Sequence, residues 1–232
     1  MTAVRRALEA ENDAEPEADE PTADDSADSA APVAPGEPVV IALENSVGTG
    51  FGLGINVDEL GAIADALRNG GVPDSRIGFC LDTAHAWGAG YAMSDPEAID
   101  ALLEDFDRRI GLGRLRLIHL NDSRSALGSR LDRHEHLGAG RIGAVGLAHV
   151  LRHPGLGHAS YILETPGMDE GYDAINLARA LALARGEPLE PLPAGAFTLR
   201  GSRVRAATPV DPAIDGSGSS AEGPASPAAT RP

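Results

Sequence analysis

Short apolar runs alternate with longer amphipathic patterns through the middle of this chain, and that alternation limits the fold more than any other feature. The runs at 39–44, 77–82, 115–120 and 160–164 have the length and composition of buried strands. Apolar residues at helical spacing follow them at 57–69, 96–110, 143–152 and 172–184. Strands that alternate with helices in this way form a parallel sheet with helices packed against it.

Four such βα units make half of a (β/α)8 barrel, a fold of about 250 residues in its usual form. We therefore predict an α/β fold, a partial TIM barrel, at residues 39–197. Half a barrel leaves backbone groups unpaired at the edges of its sheet, which is unfavourable for a free monomer. No internal repeat supplies four more units, so pairing with a missing N-terminal half is expected.

Both ends of the chain have compositions that disfavour a folded core. Residues 9–37 contain eleven acidic side chains and no aliphatic side chain larger than valine. Such a segment buries too little apolar surface to offset the entropy of ordering, so we predict a helix remnant and an acidic disordered segment at 1–38. Glycine, serine, proline and alanine dominate the end of the chain, which predicts a disordered tail at 198–232.

The net charge of −16 would disfavour a nucleic-acid partner, but the N-terminal segment contributes more than half of that excess. Between residues 108 and 152, nine arginines stand against three acidic residues, so this stretch is locally basic. Solvated helix faces and salt bridges explain such arginines equally well. No run is apolar enough to span a membrane and no signal core opens the chain, so we expect a cytoplasmic protein without a membrane partner.

Side chains that bind metals are placed at or shortly after the ends of the predicted strands. They are Glu44, Asp82, His85, His119, Asp132, His134 and Glu164. Because parallel strands present their carboxyl ends to one face, the strand-end ligands Glu44, Asp82, His119 and Glu164 are expected to meet around one ion. The other three residues, His85, Asp132 and His134, suit a second ion with an open coordination position. Carboxylates with imidazoles hold zinc or manganese, and two or more such ions assist phosphodiester cleavage.

The remaining candidates have simpler explanations. Cys80 lies inside the apolar run IGFCL, which predicts a small core residue. His149, His153 and His158 fall near a predicted helix end, where contacts with solvent or helix carbonyls are expected. His136 follows His134 by two residues and could replace it as a ligand.

Four segments together resemble the C-terminal half of endonuclease IV, the zinc-dependent apurinic/apyrimidinic endonuclease of DNA base-excision repair. They are LEN at 43–45, IGFCLDTAHAWGAGY at 77–91, HLNDSRSALGSRLDRHEHLGAGRIG at 119–143 and ILET at 162–165. The resemblance covers roughly residues 39–190, and its third segment is long and highly specific.

This resemblance implies a TIM barrel that cleaves double-stranded DNA on the 5′ side of an abasic site, with up to three zinc ions. Glu44 is implied to bridge two zincs, and the other residues of the first site are Asp82, His119 and Glu164. The implied second site consists of His85, Asp132 and His134. Two complete zinc sites are therefore expected here, with manganese as the alternative ion, and the catalytic carboxylates are Glu44 and Glu164. The expected DNA contacts are Arg124, Arg130 and Arg133.

One departure from the family is serious. The family draws two zinc-binding histidines and its lesion-probing loops from the first half of the barrel, whereas no histidine precedes Glu44 here. We therefore expect an incomplete enzyme with weak or absent cleavage by itself.

Two other functions fit part of the pattern. Sugar isomerases and epimerases related to xylose isomerase hold one divalent metal with Glu, Asp, His and Glu on successive strands, so the first ligand set does not separate them from a nuclease. His85 and the DRH segment favour the nuclease, because a sugar isomerase has no evident use for a second set. The third hypothesis is a non-catalytic metal-binding remnant.

Overall fold

Four parallel strands form the centre of the structure, a computed structural model that describes residues 39–198. In sheet order they are β1 (Ile41–Glu44), β2 (Ile77–Asp82), β3 (Leu115–His119) and β6 (Ser160–Ile162). A separate antiparallel pair joins β4 (Asp122–Ser123) to β5 (His134–Glu135). Because the sheet order follows the chain order, each strand of the main sheet lies beside the next one along the sequence.

Helices connect the strands of the main sheet and follow the last of them. Within residues 39–198 the α-helices are α1 (Val57–Asn69), α2 (Thr83–Ala89), α3 (Pro96–Arg109), α4 (Gly143–Arg152) and α5 (Tyr172–Arg185). Short 3-10 turns lie at Asp74–Arg76, Leu112–Arg114, Pro154–Leu156, Met168–Glu170 and Ala194–Thr198. The described chain therefore contains four βα units.

The start of α1 is fixed by reciprocal capping. The side chain of Asn56 accepts the backbone N–H of Glu59 at 2.8 Å. The Glu59 carboxylate in turn accepts the backbone N–H groups of Gly54 and Ile55 at 2.9 and 3.1 Å. These bonds satisfy donors that a helix start leaves without partners. They also tie the end of the β1–α1 loop to the helix.

The hydrophobic core lies between the sheet and the helices. Phe79 of β2 meets Phe106 of α3 edge to face, with ring centroids 5.5 Å apart. Ile99, Leu115 and Ile118 are fully buried around them. Burial of a side chain of this size stabilises the fold by about 1.5–3 kcal/mol. This packing fixes the strands, so their carboxyl ends can carry polar groups.

The inner and edge strands differ in exposure. Every residue of β2 is buried, whereas β1 and β6 contain exposed residues along their length. Ile41 on β1 and Ile162 on β6 are both exposed apolar side chains. The sheet therefore presents two open edges within the described part of the chain.

The predicted α/β fold with four βα units is confirmed, and α1 and α4 have the predicted bounds. The edge strands are shorter than predicted, because β1 begins at Ile41 and β6 ends at Ile162. Helix α2 and the β4–β5 pair were not predicted. The segments predicted to be disordered, 1–38 and 198–232, lie outside the described residues except for Thr198, which ends a 3-10 turn. Among residues 39–198, no helix combines the length and apolar character that a bilayer crossing requires.

Candidate metal centre

The carboxyl ends of the parallel strands bring three carboxylates to one imidazole. The Nδ1 of His119, at the end of β3, lies 3.3 Å from Glu44 Oε1 at the end of β1. It lies 3.2 Å from Glu164 Oε2, two residues beyond β6, and 3.8 Å from Asp82 Oδ2 at the end of β2. The parallel register, which pairs Asp82 with His119, produces this convergence.

Helix α2 brings His85 to the same opening. The Asp82 side chain caps α2, and its Oδ1 accepts the backbone N–H of His85 at 2.8 Å. The His85 Nδ1 lies 3.2 Å from Glu44 Oε1 and donates to the Asn45 carbonyl at 3.0 Å. Its Nε2 faces Asp132 Oδ2 at 3.5 Å and would carry the lone pair once the ring is neutral.

The last two candidates come from the segment that enters β5. His134 Nε2 lies 3.2 Å from Asp132 Oδ1 and 3.7 Å from Asp82 Oδ2. The other ring nitrogen, Nδ1, donates to the backbone carbonyl of Glu164 at 2.8 Å. The structure therefore brings all seven sequence-predicted ligands to one opening at the carboxyl end of the sheet.

Two overlapping residue sets each offer three ligand atoms that lie within 4.8 Å of one another. The first set is Asp82, His119 and Glu164, and the second is Asp82, His85 and His134. Since Asp82 belongs to both, its carboxylate can bridge two cations. The His119 Nδ1 and the His134 Nε2 are buried without a hydrogen-bond partner in the described part of the chain. Buried polar atoms without partners are rare, and ligation of a divalent cation would satisfy both nitrogens, so these residues fit a metal.

The neighbouring charges shift the pKa values of the group. Burial raises the pKa of Asp82, although His85 and His134 oppose the shift. Burial lowers the pKa of His85, but its hydrogen bond to Glu44 and the nearby carboxylates outweigh burial and raise that pKa to about 9. The same hydrogen bond lowers the pKa of Glu44. Cation binding would therefore displace a proton from His85.

Two asparagines that the sequence analysis did not single out hold these ligands in place. Asn45 accepts the Asp82 backbone N–H at 2.7 Å and donates to the Asp82 carbonyl at 3.1 Å. Asn121 donates to Asp82 Oδ2 at 2.7 Å and accepts the Glu164 backbone N–H at 2.9 Å. Each asparagine therefore links adjacent strands where the ladder ends. In the sequence, Asn45 directly follows Glu44 and Asn121 lies two residues after His119, and this proximity to candidate ligands could have indicated their role.

Cys80 is buried, as predicted for a core residue, but it also borders the opening. Its thiol lies within 4.8 Å of ligand atoms of Glu44 and His119. Burial raises the pKa of Cys80 to about 12. Without a metal the group therefore remains a thiol near neutral pH.

The other histidines do not join the opening. His136 is buried, accepts from Asn176 Nδ2 at 2.9 Å and donates to the Ala196 carbonyl at 3.1 Å. It anchors the C-terminal part of the described chain and does not replace His134. His149 and His153 lie 2.6 and 3.6 Å from the Asp100 carboxylate, so the expected contact with solvent or carbonyls was wrong for these two. His158 contacts the Leu112 carbonyl at 3.2 Å, as expected.

The three arginines that the sequence predicts to contact DNA, Arg124, Arg130 and Arg133, lie on one loop, residues 124–133, which we name the arginine loop. The backbone N–H of Arg124 donates to the Arg133 carbonyl at 3.1 Å and closes the loop. The backbone N–H of Arg130 donates to the Gly88 carbonyl of α2 at 2.9 Å. The side chains of Arg130 and Arg133 are exposed, and that of Arg124 is half-buried. Because α2 also carries His85, the arginine loop borders the candidate metal centre.

Asp122 braces the turn that leads from β5 into α4. Its buried carboxylate accepts the backbone N–H groups of Gly140, Ile142 and Gly143 at 2.9, 3.0 and 3.2 Å. A Cβ atom at Gly140 would collide with this carboxylate and with the Ser123 carbonyl. The close approach therefore requires glycine at position 140.

The family comparison agrees with this geometry. Residues 3–185 match the family described as xylose isomerase-like TIM barrel. The chain belongs to this family. Membership in the xylose isomerase-like TIM barrel family confirms the predicted fold class.

Similar proteins are named as endonucleases. A "Probable endonuclease 4" from Methanoculleus marisnigri is 44% identical over 146 residues, which are 63% of this chain and 50% of that protein. Its counterpart in Chlorobium limicola is 42% identical over 144 residues, 62% of this chain and 48% of that protein. The solved endonuclease IV of Thermus thermophilus has a TM-score of 0.53 and 39% identity, covering 63% of this chain and 50% of that chain.

These similarities confirm the resemblance to endonuclease IV within the xylose isomerase-like TIM barrel family. The chain spans about half the length of the curated relatives it matches.

Proposed function

We propose that the chain is a zinc-dependent phosphodiesterase of DNA base-excision repair that cleaves duplex DNA 5′ to abasic sites. The observation that carries the proposal is the second ligand set, in which His85 and His134 share Asp82 with the first set. The sugar isomerase hypothesis accounts for the first set alone, so the second set favours phosphodiester chemistry.

The residues that would hold the metals are those of the two overlapping sets, with Glu44 and Asp132 completing them. Zinc suits a mixture of imidazole nitrogen and carboxylate oxygen, and manganese is the alternative. Bound there, divalent ions supply Lewis-acid stabilisation to the scissile phosphate and to the leaving oxygen. His85 and His134 are already oriented for ligation, because each donates Nδ1–H to a backbone carbonyl.

We assign the catalytic carboxylates to Glu44 and Glu164. Their side chains are 36% and 45% exposed, so a substrate can reach them, whereas Asp82 is fully buried. Asp132 is also exposed, at 54%, but it follows no strand of the main sheet and faces His85 and His134. An ionised carboxylate at the opening accepts a hydrogen bond from the attacking water and orients it toward phosphorus. The lowered pKa keeps Glu44 ionised near neutral pH.

The arginine loop supplies the proposed contacts with DNA. A guanidinium group can donate two hydrogen bonds to the oxygens of one phosphate, and the proposed contacts are Arg124, Arg130 and Arg133 of this loop. The second proposed partner is a polypeptide with four further βα units, an N-terminal half, which would pair with the open edges of β1 and β6.

The decisive experiment measures the zinc content of the purified full chain, together with its nicking of a duplex with one abasic site, which is expected to be weak. His134→Ala is expected to lower zinc affinity by roughly a hundredfold or more and to abolish the nicking, because it removes a direct ligand. His158→Ala is the matched control, since His158 is exposed and bonds only the Leu112 carbonyl among the described contacts.

Equal zinc content and equal nicking in the two variants would overturn the assignment. Product ends are informative as well, because hydrolysis on the 5′ side leaves a 3′-hydroxyl. Isomerisation of a free sugar without any nicking would instead favour the isomerase hypothesis.

A further inference from the structure

Arginines in two parts of the described chain differ in their partners. Those on or near the helices α1 and α3 pair with carboxylates, and they are Arg68, Arg108, Arg109 and Arg114. By contrast, Arg130, Arg133 and Arg141 are exposed and form no ion pair with any residue among 39–198. We name these three residues the basic surface. Positive charge without a paired carboxylate attracts an anionic partner.

Hydrogen bonds hold the basic surface together at the base of the arginine loop. Arg141 Nε donates to the Arg124 carbonyl at 3.2 Å, and the Arg124 backbone N–H donates to the Arg133 carbonyl at 3.1 Å. The one acidic residue of the loop, Asp132, faces the candidate metal centre, where it lies 3.5 Å from His85. Asp132 therefore does not pair with the arginines of the basic surface.

The same chain carries an anionic segment of the opposite sign. Ten of the 20 residues from 9 to 28 are Asp or Glu, and none is Lys, Arg or His. We name residues 9–28 the acidic run. An extended backbone rises about 3.3 Å per residue, so such a run offers about one carboxylate per 6.6 Å. That is roughly half the charge density of one DNA strand along its axis.

The linker between the acidic run and the sheet is long enough for the run to meet the basic surface. Glu44 at the end of β1 lies 3.2 Å from His85, which lies 3.5 Å from Asp132 of the arginine loop. With about 3.3 Å of rise for each residue of β1, the arginine loop is within roughly 35 Å of Val39. Residues 29–38 can span up to about 35 Å when extended, so the run can reach this surface of its own chain.

We propose that the acidic run binds the basic surface of its own chain and so occupies arginines that are assigned to DNA. The contact follows from charge complementarity alone, whereas its competition with DNA rests on the proposed function. Exposed ion pairs are individually weak, but a tether raises the effective concentration of the run to the order of 1 mM. A contact with a Kd of about 0.1 mM between separate molecules would then be about nine-tenths occupied.

DNA is the stronger competitor for these arginines. It has the higher charge density, and neutralising its phosphates releases condensed counterions. The acidic run therefore weakens DNA binding without preventing it. At the occupancy given above, the expected weakening is roughly tenfold at low salt.

The test detects the contact directly in the zinc-loaded full chain. A spin label on Ser26→Cys, within the acidic run, broadens the NMR signals of amides that it approaches, and the buried Cys80 stays unlabelled. Spectra are recorded at about 50 mM and about 1 M salt, because salt screens exposed charges. Fluorescence anisotropy then measures the affinity for abasic and intact duplexes of one sequence.

Two double variants remove equal charge from different surfaces. Arg130→Gln with Arg133→Gln changes the basic surface. Arg68→Gln with Arg108→Gln is the matched control, because these side chains are 44% and 76% exposed and pair with carboxylates of their own helices. In a third variant, the neutral-run variant, Asn and Gln replace the ten acidic residues of the acidic run.

At low salt the label is expected to remove at least about half of the amide intensity in the arginine loop, and high salt should restore it. The loss should be absent from the Arg130 and Arg133 variant and retained in the Arg68 and Arg108 variant. The neutral-run variant should bind both duplexes roughly tenfold more tightly than the wild type at low salt.

Three outcomes separate this contact from the proposed function. If the chain nicks abasic DNA but the arginine loop is not broadened, or is broadened equally in the two double variants, the contact is wrong and the proposed function stands. Broadening in a mixture of spin-labelled chains and separate isotope-enriched chains would assign the contact to a second copy and overturn it. Broadening as expected, with unchanged DNA affinity in the neutral-run variant, would support the contact and contradict the proposed role of these arginines in DNA binding.

Discussion

The inner and edge strands of the sheet hold their candidate ligands in different ways. Asp82 ends the buried strand β2, and its carboxylate is held by the His85 backbone N–H and by Asn121. Glu164 follows the edge strand β6, and its exposed carboxylate accepts only a 3.3 Å bond from Asn121 among the described hydrogen bonds. The inner ligand is therefore pre-organised at the cost of burying a charge, whereas the edge ligand can adjust to a substrate.

The largest expected difference between the inner ligand Asp82 and the edge ligand Glu164 is in the zinc content of their variants. Asp82→Asn is expected to lower affinity at both ligand sets by a hundredfold or more, because Asp82 belongs to both, whereas Glu164→Gln should affect one set. Asparagine still caps α2, so the fold should survive. Zinc per chain after gel filtration measures the difference, and an equal loss from the two variants would remove the distinction.

Stability should show the same asymmetry. Asn121→Ala leaves Asp82 Oδ2 and the Glu164 backbone N–H without their asparagine partner, so we expect a loss of about 2–3 kcal/mol in the free energy of unfolding. The exposed Asn69 at the end of α1 provides the control, and Asn69→Ala should cost less than about 0.5 kcal/mol. Urea unfolding with a chelator present measures both, and similar midpoints would show that Asn121 contributes little.

Metal-free protein, prepared with a chelator, should also lose stability as pH rises, because Asp82 is buried. Burial raises the pKa of Asp82 above its usual value of 3.8, so the folded chain holds this proton to higher pH than the unfolded chain does. The Asp82 contribution is therefore most favourable below about pH 4 and declines as pH rises through the folded pKa. Asp82→Asn should lack this decline, and parallel pH profiles of the two proteins would contradict the prediction.

The smallest expected effect concerns His85 and the edge ligand Glu44. Their hydrogen bond is the main influence that raises the pKa of His85 to about 9, so Glu44→Gln should move that pKa back toward 6.5. In the wild type this contribution to stability is complete below pH 6.5 and is lost as pH rises through about 9. NMR titration of the ring in chelator measures it, and an unchanged titration would assign the shift to Asp82 and Asp132.

The sequence predicted well those elements whose bounds are set by residues within or next to the element itself. Helix α1 has regular apolar spacing and a cap at Asn56, and its bounds were predicted to the residue. Helix α2 was missed because it has seven residues, most of them buried, and therefore no polar face to produce a periodic pattern. The strands β4 and β5 have two residues each, and their pairing depends on how the arginine loop packs.

The candidate site divides in the same way. The convergence of Glu44, Asp82 and His119 followed from strand ends alone, because parallel strands open onto one face. The sharing of Asp82 between two ligand sets could not be predicted, because it depends on the orientation that the α2 cap gives to His85. The roles of Asn45 and Asn121 depend equally on contacts between strands that are distant in sequence.

The braced turn between β5 and α4 sets unequal tolerances at two adjacent positions. Gly140 has no room for a side chain beside the Asp122 carboxylate, whereas the Arg141 side chain is exposed. A mutant library directed at this turn would keep the glycine and diversify the arginine. Substitutions at position 141 would remove the 3.2 Å hydrogen bond from Arg141 Nε to the Arg124 carbonyl, at the base of the arginine loop, and leave the Asp122 hydrogen bonds in place.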